Sequence, residues 1–138
     1  SADTGDDYIP LLVPYQGLMV GIIEGSARQI FHHAAEVAPL DDEDWTAAGL
    51  AAVNIIAATT LLSMKGSGPQ DARRHADPEW RGLVEDLQNA SVFVALAVQQ
   101  RDRQALNHMS DLLAKSCQSC HDKLRVPPSP DTSRFALW

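Results

Sequence analysis

Hydrophobic and polar positions along the chain fall into four stretches with helical spacing. From Tyr15 to about Val37 the recurring positions are Tyr15, Leu18/Met19, Ile22/Ile23, Ser26, Ile30, His33/Ala34 and Val37. That three-to-four-residue interval lays them on one helix face, and Pro14 can open the helix at its first turn. Pro39 and the run Asp41-Asp42-Glu43-Asp44 follow. Carboxylates at a helix N-terminus are favoured by the backbone dipole and cap free N–H groups, so the run reads as the start of a second helix rather than as a calcium site. The second helix extends to about Met64. Lys65-Gly66-Ser67-Gly68-Pro69-Gln70 is a breaker, and the loop is expected to continue through Arg73-Arg74-His75. Asp77-Pro78-Glu79 then combines a capping Asp, Pro at the first helical position and a first-turn Glu. The third helix shows Trp80, Leu83/Val84, Leu87, Ser91, Val94 and Val98 on one face to about Gln100. Asp102 opens the fourth, whose inner face carries Leu106, Met109, Leu112/Leu113, Ser116/Cys117, Cys120 and Leu124; Pro127-Pro128-Ser129-Pro130 stops it.

No stretch reads as a strand. Four helices of roughly 20 residues with short connections predict an all-α, antiparallel up-down-up-down four-helix bundle. The bundle is expected over about residues 12–125 of a single domain spanning 1–138. The tail 126–138 ends in Phe135-Ala136-Leu137-Trp138, too apolar for a solvent-exposed linker, and is expected to fold back on the bundle.

Two features modify this frame. Gly17, Gly21 and Gly25 recur every fourth residue of the first helix. They weaken it by up to about 1 kcal/mol each relative to Ala and leave room for a bulky body to approach the backbone. Trp45 to Met64 carries no charge, which meets the length of a membrane span. But Ala is its commonest residue and Thr46, Asn54, Thr59, Thr60 and Ser63 are included, so its total hydrophobicity is modest. A largely buried helix at a subunit interface is expected, not an integral membrane protein.

Composition changes little. The 138 residues are 45% hydrophobic and 21% charged, as in an ordinary globular domain. The net charge of −7 argues against nucleic acid and anionic membrane as partners. The polar start Ser1-Ala2-Asp3-Thr4-Gly5 reads as a mature N-terminus after signal cleavage.

The chemistry is concentrated near the end of the fourth helix, in Cys117-Gln118-Ser119-Cys120-His121. Cys-x-x-Cys-His is the attachment signature of a c-type haem. Two thiols add across the two porphyrin vinyl groups, and the adjacent His gives an axial nitrogen to the iron. On a helix Cys117 and His121 share a face, with Cys120 about 100° round it. A thioredoxin-like pair would follow a strand in an α/β pattern. A zinc site would need further ligands at short spacing, and His32, His33, His75 and His108 make none with the motif. A plain disulfide leaves His121 unexplained. The expected cofactor is therefore one haem c, covalent through Cys117 and Cys120, with His121 on the iron.

A four-helix chain with one such motif close to its C-terminus resembles the class II c-type cytochromes, the cytochromes c-prime and their low-spin relatives. Class I cytochromes c carry the motif near the N-terminus. The run Cys-His-Asp-Lys-Leu-Arg is similar to the family's Cys-His-x-x-aromatic-Arg/Lys ending, with Arg125 at the basic position and Leu124 in place of the aromatic. The stretch Tyr15 to Met19 resembles the family's opening helix, and the likeness covers about residues 12–125.

The resemblance implies a periplasmic protein whose function depends on the sixth position of the iron. Members with a Met on the first helix are six-coordinate electron carriers that work with redox partner proteins. Members with an apolar residue there are five-coordinate and bind small gases such as NO or CO. In this chain His108 and Met109 precede His121 by 13 and 12 residues on its own helix, about 18–20 Å along the axis and too far to share its iron. His32 and His33 lie toward the other end of helix one. Met19 has a spacing similar to the family's distal position, and Met64 is the runner-up. A core methionine filling space without a bond is the alternative for Met19. A His/Met electron carrier is the first expectation, a gas-binding module the second. A peroxidase-like enzyme comes last, for lack of a distal His–Arg pair, although Arg73, Arg74 and His75 lie in a nearby loop. Family members are often dimers through helices one and two, and the charge-free second helix and the glycine stripe are compatible with that.

Overall fold

The computed structural model describes residues 9–124, and the regular elements in that range are all helical. The first is a composite: α1 (Tyr15–Leu18), a π-helical turn (Met19–Ile23) and α2 (Glu24–Ala35). It runs unbroken, because the joining residues Met19 (φ −61°, ψ −54°) and Glu24 (φ −61°, ψ −46°) keep helical dihedrals. Then follow α3 (Asp42–Leu62), α4 (Pro69–Ala76), α5 (Pro78–Gln99) and α6 (Arg103–Leu124). The expected tail 126–138 and the basic position Arg125 lie outside the described residues.

The helix starts follow from their caps. Asp41 accepts from the Asp44 N–H at 2.8 Å, and the Asp44 carboxylate accepts from the Asp41 N–H at 3.0 Å. This reciprocal pair satisfies two N–H groups that would otherwise lack partners, so the acidic run is a helix start. Asp77 caps α5 through the Glu79 N–H at 2.9 Å, with Pro78 at the first position. Asp102 caps α6 through the Ala105 N–H at 3.0 Å. Between α5 and α6, Arg101 takes a left-handed φ of 50°. The Asp102 N–H reaches the Ala97 carbonyl at 3.0 Å and the Arg101 N–H reaches Val98 at 2.9 Å, which closes α5 tightly and turns the chain into α6.

Three elements differ from the sequence expectation, and the simplest is α3, which ends at Leu62 rather than Met64. Helix one ends at Ala35 rather than Val37: Glu36 is already extended and Val37 is 98% exposed. The freed carbonyls of Glu36 and Ala38 accept from the Arg103 guanidinium at the start of α6, which ties the two helix ends together. The segment expected to continue as a loop through Arg73-Arg74-His75 is instead the helix α4. Gly68 (φ 93°) caps it, Pro69 sits at its first position, Asp71 is in its first turn, and Arg73, Arg74 and His75 are in its last. Each charge complements the helix dipole, and that outweighs the breaker composition upstream. Gly68→Ala forces a side chain into a left-handed conformation and is expected to cost about 1 kcal/mol. Thermal denaturation of the intact protein should register this as a fall of about 4 °C; an unchanged melting temperature would rule out the left-handed cap.

α2 packs on α3, α3 on α5, α5 on α6, and α2 also on α6, so the long helices enclose one core. Ile30, Ile55, Val94, Leu106 and Leu113 are completely buried there. Among the described residues α3 is the one helix long and apolar enough, by length and composition, to cross a membrane. Its face of Trp45, Ala48, Ala52, Ile55, Ala58 and Leu62 is buried in the core, whereas Leu50 and Val53 on other faces stay exposed. The glycine stripe of helix one is split: Gly17 is buried, Gly21 and Gly25 are exposed. A Cβ at Gly25 would meet nothing of this chain within 4 Å, so no helix of this chain approaches closely at that position.

Candidate cofactor-binding cavity

The C-terminal end of α6 and the start of helix one face each other across a cavity of about 250 Å³ that opens to solvent. From α6, Ser116, Cys117, Cys120, His121 and Leu124 line it. From helix one come Gln16, Met19, Val20, Ile23 and Glu24. α5 supplies an apolar wall of Trp80, Leu83, Val84 and Leu87, and α4 contributes Gln70, Asp71 and Arg74. An apolar recess with a few convergent polar groups is the usual form of a small-molecule site.

Helix one reaches the cavity through its π-helical turn. A π-turn widens the helix by one residue, is costly, and recurs at functional sites. Here it starts at Met19 itself and places Met19, Val20 and Ile23 on the cavity side. The turn before it is held from three directions. The Tyr15 N–H donates to the Asp71 carboxylate at 3.0 Å. The Tyr15 hydroxyl donates to the Met64 carbonyl and lies 3.5 Å from His75 Nδ1. The Tyr15 ring stacks on Trp80 with centroids 4.8 Å apart, and the Trp80 indole N–H donates to the Leu62 carbonyl at 2.8 Å. Asp71, buried on α4, also accepts from the Ser67 N–H at 2.9 Å. Gly66 is required beside it, because a Cβ there would fall 2.5 Å from the Asp71 Cβ.

Burial sets the chemistry of the cavity wall. It pushes the Cys117 thiol up to about 11, with the neighbouring Cys120 adding to the rise. Cys120 is raised by burial too, while the Arg74 guanidinium pulls it back toward its ordinary value. Tyr15 is raised by burial and then by the Asp71 carboxylate. Both cysteines are half-buried and unbridged. The Ser116 hydroxyl, next to Cys117, is buried without a hydrogen-bond partner among the described residues.

The sequence candidates Met19, Cys117, Cys120 and His121 thus line one cavity. Met64 does not line it; it is half-buried past the end of α3 with its carbonyl taken by Tyr15. His108 and His32 are exposed, Met109 is half-buried, and none of them lines the cavity. His33 is buried beside Asp44, 3.8 Å from its carboxylate, away from the cavity. Among the described residues, no group of three or more His, Cys, Asp and Glu side chains is arranged to hold a metal ion unaided. The two thiols, the imidazole and the thioether in the wall are donor types that a covalent haem would take from a chain. Sequence reasoning missed Asp71; Arg74, expected in a nearby loop, lines the cavity with it because residues 69–76 are helical. The signal was present as Pro69 at a first helical position with an acidic first turn and a basic last turn. No family model matches the chain, and neither a curated protein nor a solved structure matches it.

Proposed function

We propose that the chain is an electron-carrying c-type cytochrome of the class II kind. It would hold one haem c covalently through Cys117 and Cys120, with His121 and Met19 as axial ligands. The observation that carries this reading is the convergence of those four side chains, from the two ends of the sequence, on one apolar cavity. When bound, the haem supplies a one-electron iron couple whose potential a thioether ligand raises. The chain's own residues do the rest. Cys117 and Cys120 would fix the group to α6, each thiol adding across one vinyl group with its proton going to the neighbouring vinyl carbon, an addition that needs no external redox agent. His121 and Met19 approach from opposite helices. Trp80, Leu83, Val84 and Leu87 keep water from the buried face, which favours the less charged, reduced state. An up-down-up-down order of the long helices accounts for the meeting of the start of helix one with the end of α6.

On the same reading the chain would work in the periplasm, with redox proteins as partners. A homodimer through helix one and α3 is its second element. It is supported by a shallow groove of Gly21, Ile22, Gly25, Ala47 and Leu50 between those helices, and by Leu50 and Val53 at 60% and 56% exposure.

The direct test is intact mass. Protein isolated from a host with a haem-attachment pathway should exceed the chain mass by one haem, and acid–acetone should leave the colour on the protein. Colour that extracts into acetone removes the central claim.

A further inference from the structure

Asp71 has no part in ligation, yet it is the most constrained polar group at the cavity. It is 4% exposed, and its carboxylate accepts from two backbone N–H groups, those of Tyr15 and Ser67. Tyr15 is the first residue of helix one, and Met19 stands one turn further on, at the first residue of the π-turn. Asp71 therefore joins α4 to the N-terminal turn that precedes Met19. Gly66 shields this joint by leaving the space that its Cβ would take from the carboxylate.

We propose that Asp71 is a positioning residue for Met19: its buried carboxylate clamps the start of helix one to α4 and so holds the methionine at the depth in the cavity where its sulfur can face His121. The inference rests on the haem reading above and adds to it a residue outside the ligand set. A short terminal turn frays unless its N–H groups are held. A carboxylate accepting from a helix N-terminus is one of the stronger ways to hold it. The stacked Tyr15 ring fixes the turn sideways, but among the described contacts the Asp71 bond is the one made by the backbone N–H that begins the helix.

The test uses the purified, haem-loaded full chain with wild type, Asp71→Ala, Asp71→Asn and Gly66→Ala, comparing visible spectra and carbon monoxide binding to the reduced form. Asp71→Ala should raise the high-spin fraction about ten-fold or more, the effect expected from losing a hydrogen bond to a charged group, and should speed carbon monoxide binding. Asp71→Asn keeps a carbonyl oxygen that can accept from both N–H groups, so it should restore a mostly low-spin spectrum. Gly66→Ala keeps Asp71 but displaces it, and should shift the spectrum in the same direction as Asp71→Ala; it decides the matter if Asp71→Ala does not fold. A low-spin wild type whose variants melt earlier but stay fully low spin overturns the positioning role and leaves the haem reading intact. A wild type with extractable colour, or one already high spin, overturns the haem reading or its Met19 element, and this inference with it.

Discussion

Met19→Ala should turn a low-spin, slowly gas-binding protein into a high-spin one that takes up carbon monoxide rapidly when reduced. A thioether is a soft ligand that stabilises reduced iron and keeps the coordination sphere similar in both redox states. Its removal should lower the midpoint potential by on the order of 0.1 V, a modest part of the roughly 0.8 V that axial ligation spans. The cavity gives this expectation its specificity. Met19 lines the same space as His121, whereas Met64 lies outside it, its backbone carbonyl accepting from the Tyr15 hydroxyl. Met64→Ala should therefore leave spectrum, potential and gas binding unchanged. A wild type that is already high spin and binds carbon monoxide readily would make Met19 a packing residue, and the five-coordinate gas-binding reading would replace electron transfer.

Replacing Cys117 and Cys120 together by Ser should do more damage to the fold than any single core truncation. The largest such truncations cost up to about 5 kcal/mol, and a haem would fill far more space than one side chain. The total stability of a domain is about 5–15 kcal/mol. An unfilled cavity bounded by Leu83, Val84, Leu87 and Ile23 cannot collapse without moving α5 or helix one. The double variant should therefore yield little coloured protein, and its helices should melt over a broad, early transition. A variant that stays helical with the melting temperature of the wild type would show that the bundle stands without its cofactor.

What the sequence revealed, and what it hid, follows from the range of the interactions involved. The long helices were legible because their cues are local: Asp41 and Asp44, Asp77 with Pro78, and Asp102 each cap the residues that immediately follow. The faces were legible where burial is regular, as at Leu106 and Leu113 or Leu87 and Val94. Helix one was predicted two residues too long, because its end is set by Arg103, far away in sequence. α4 was hidden because Gly66, Gly68 and Pro69 dominate the local signal, although two of them serve the helix they seemed to prevent. The π-turn at Met19 has no local cue at all. Cys117, Cys120 and His121 were legible as a contiguous motif, and Met19 by its place on helix one. Asp71 was not, because its role depends on Tyr15, 56 positions away in the chain.

The burial of the two thiols also bears on how readily they would react. Burial pushes the Cys117 thiol up to about 11 and raises Cys120 as well, so each carries a smaller thiolate fraction in the folded chain than an exposed cysteine does. The thiolate is the nucleophile. On the haem reading proposed above, the docked α6 would take up a vinyl group more slowly than the undocked helix, and attachment before the last helix docks would be the faster order of events.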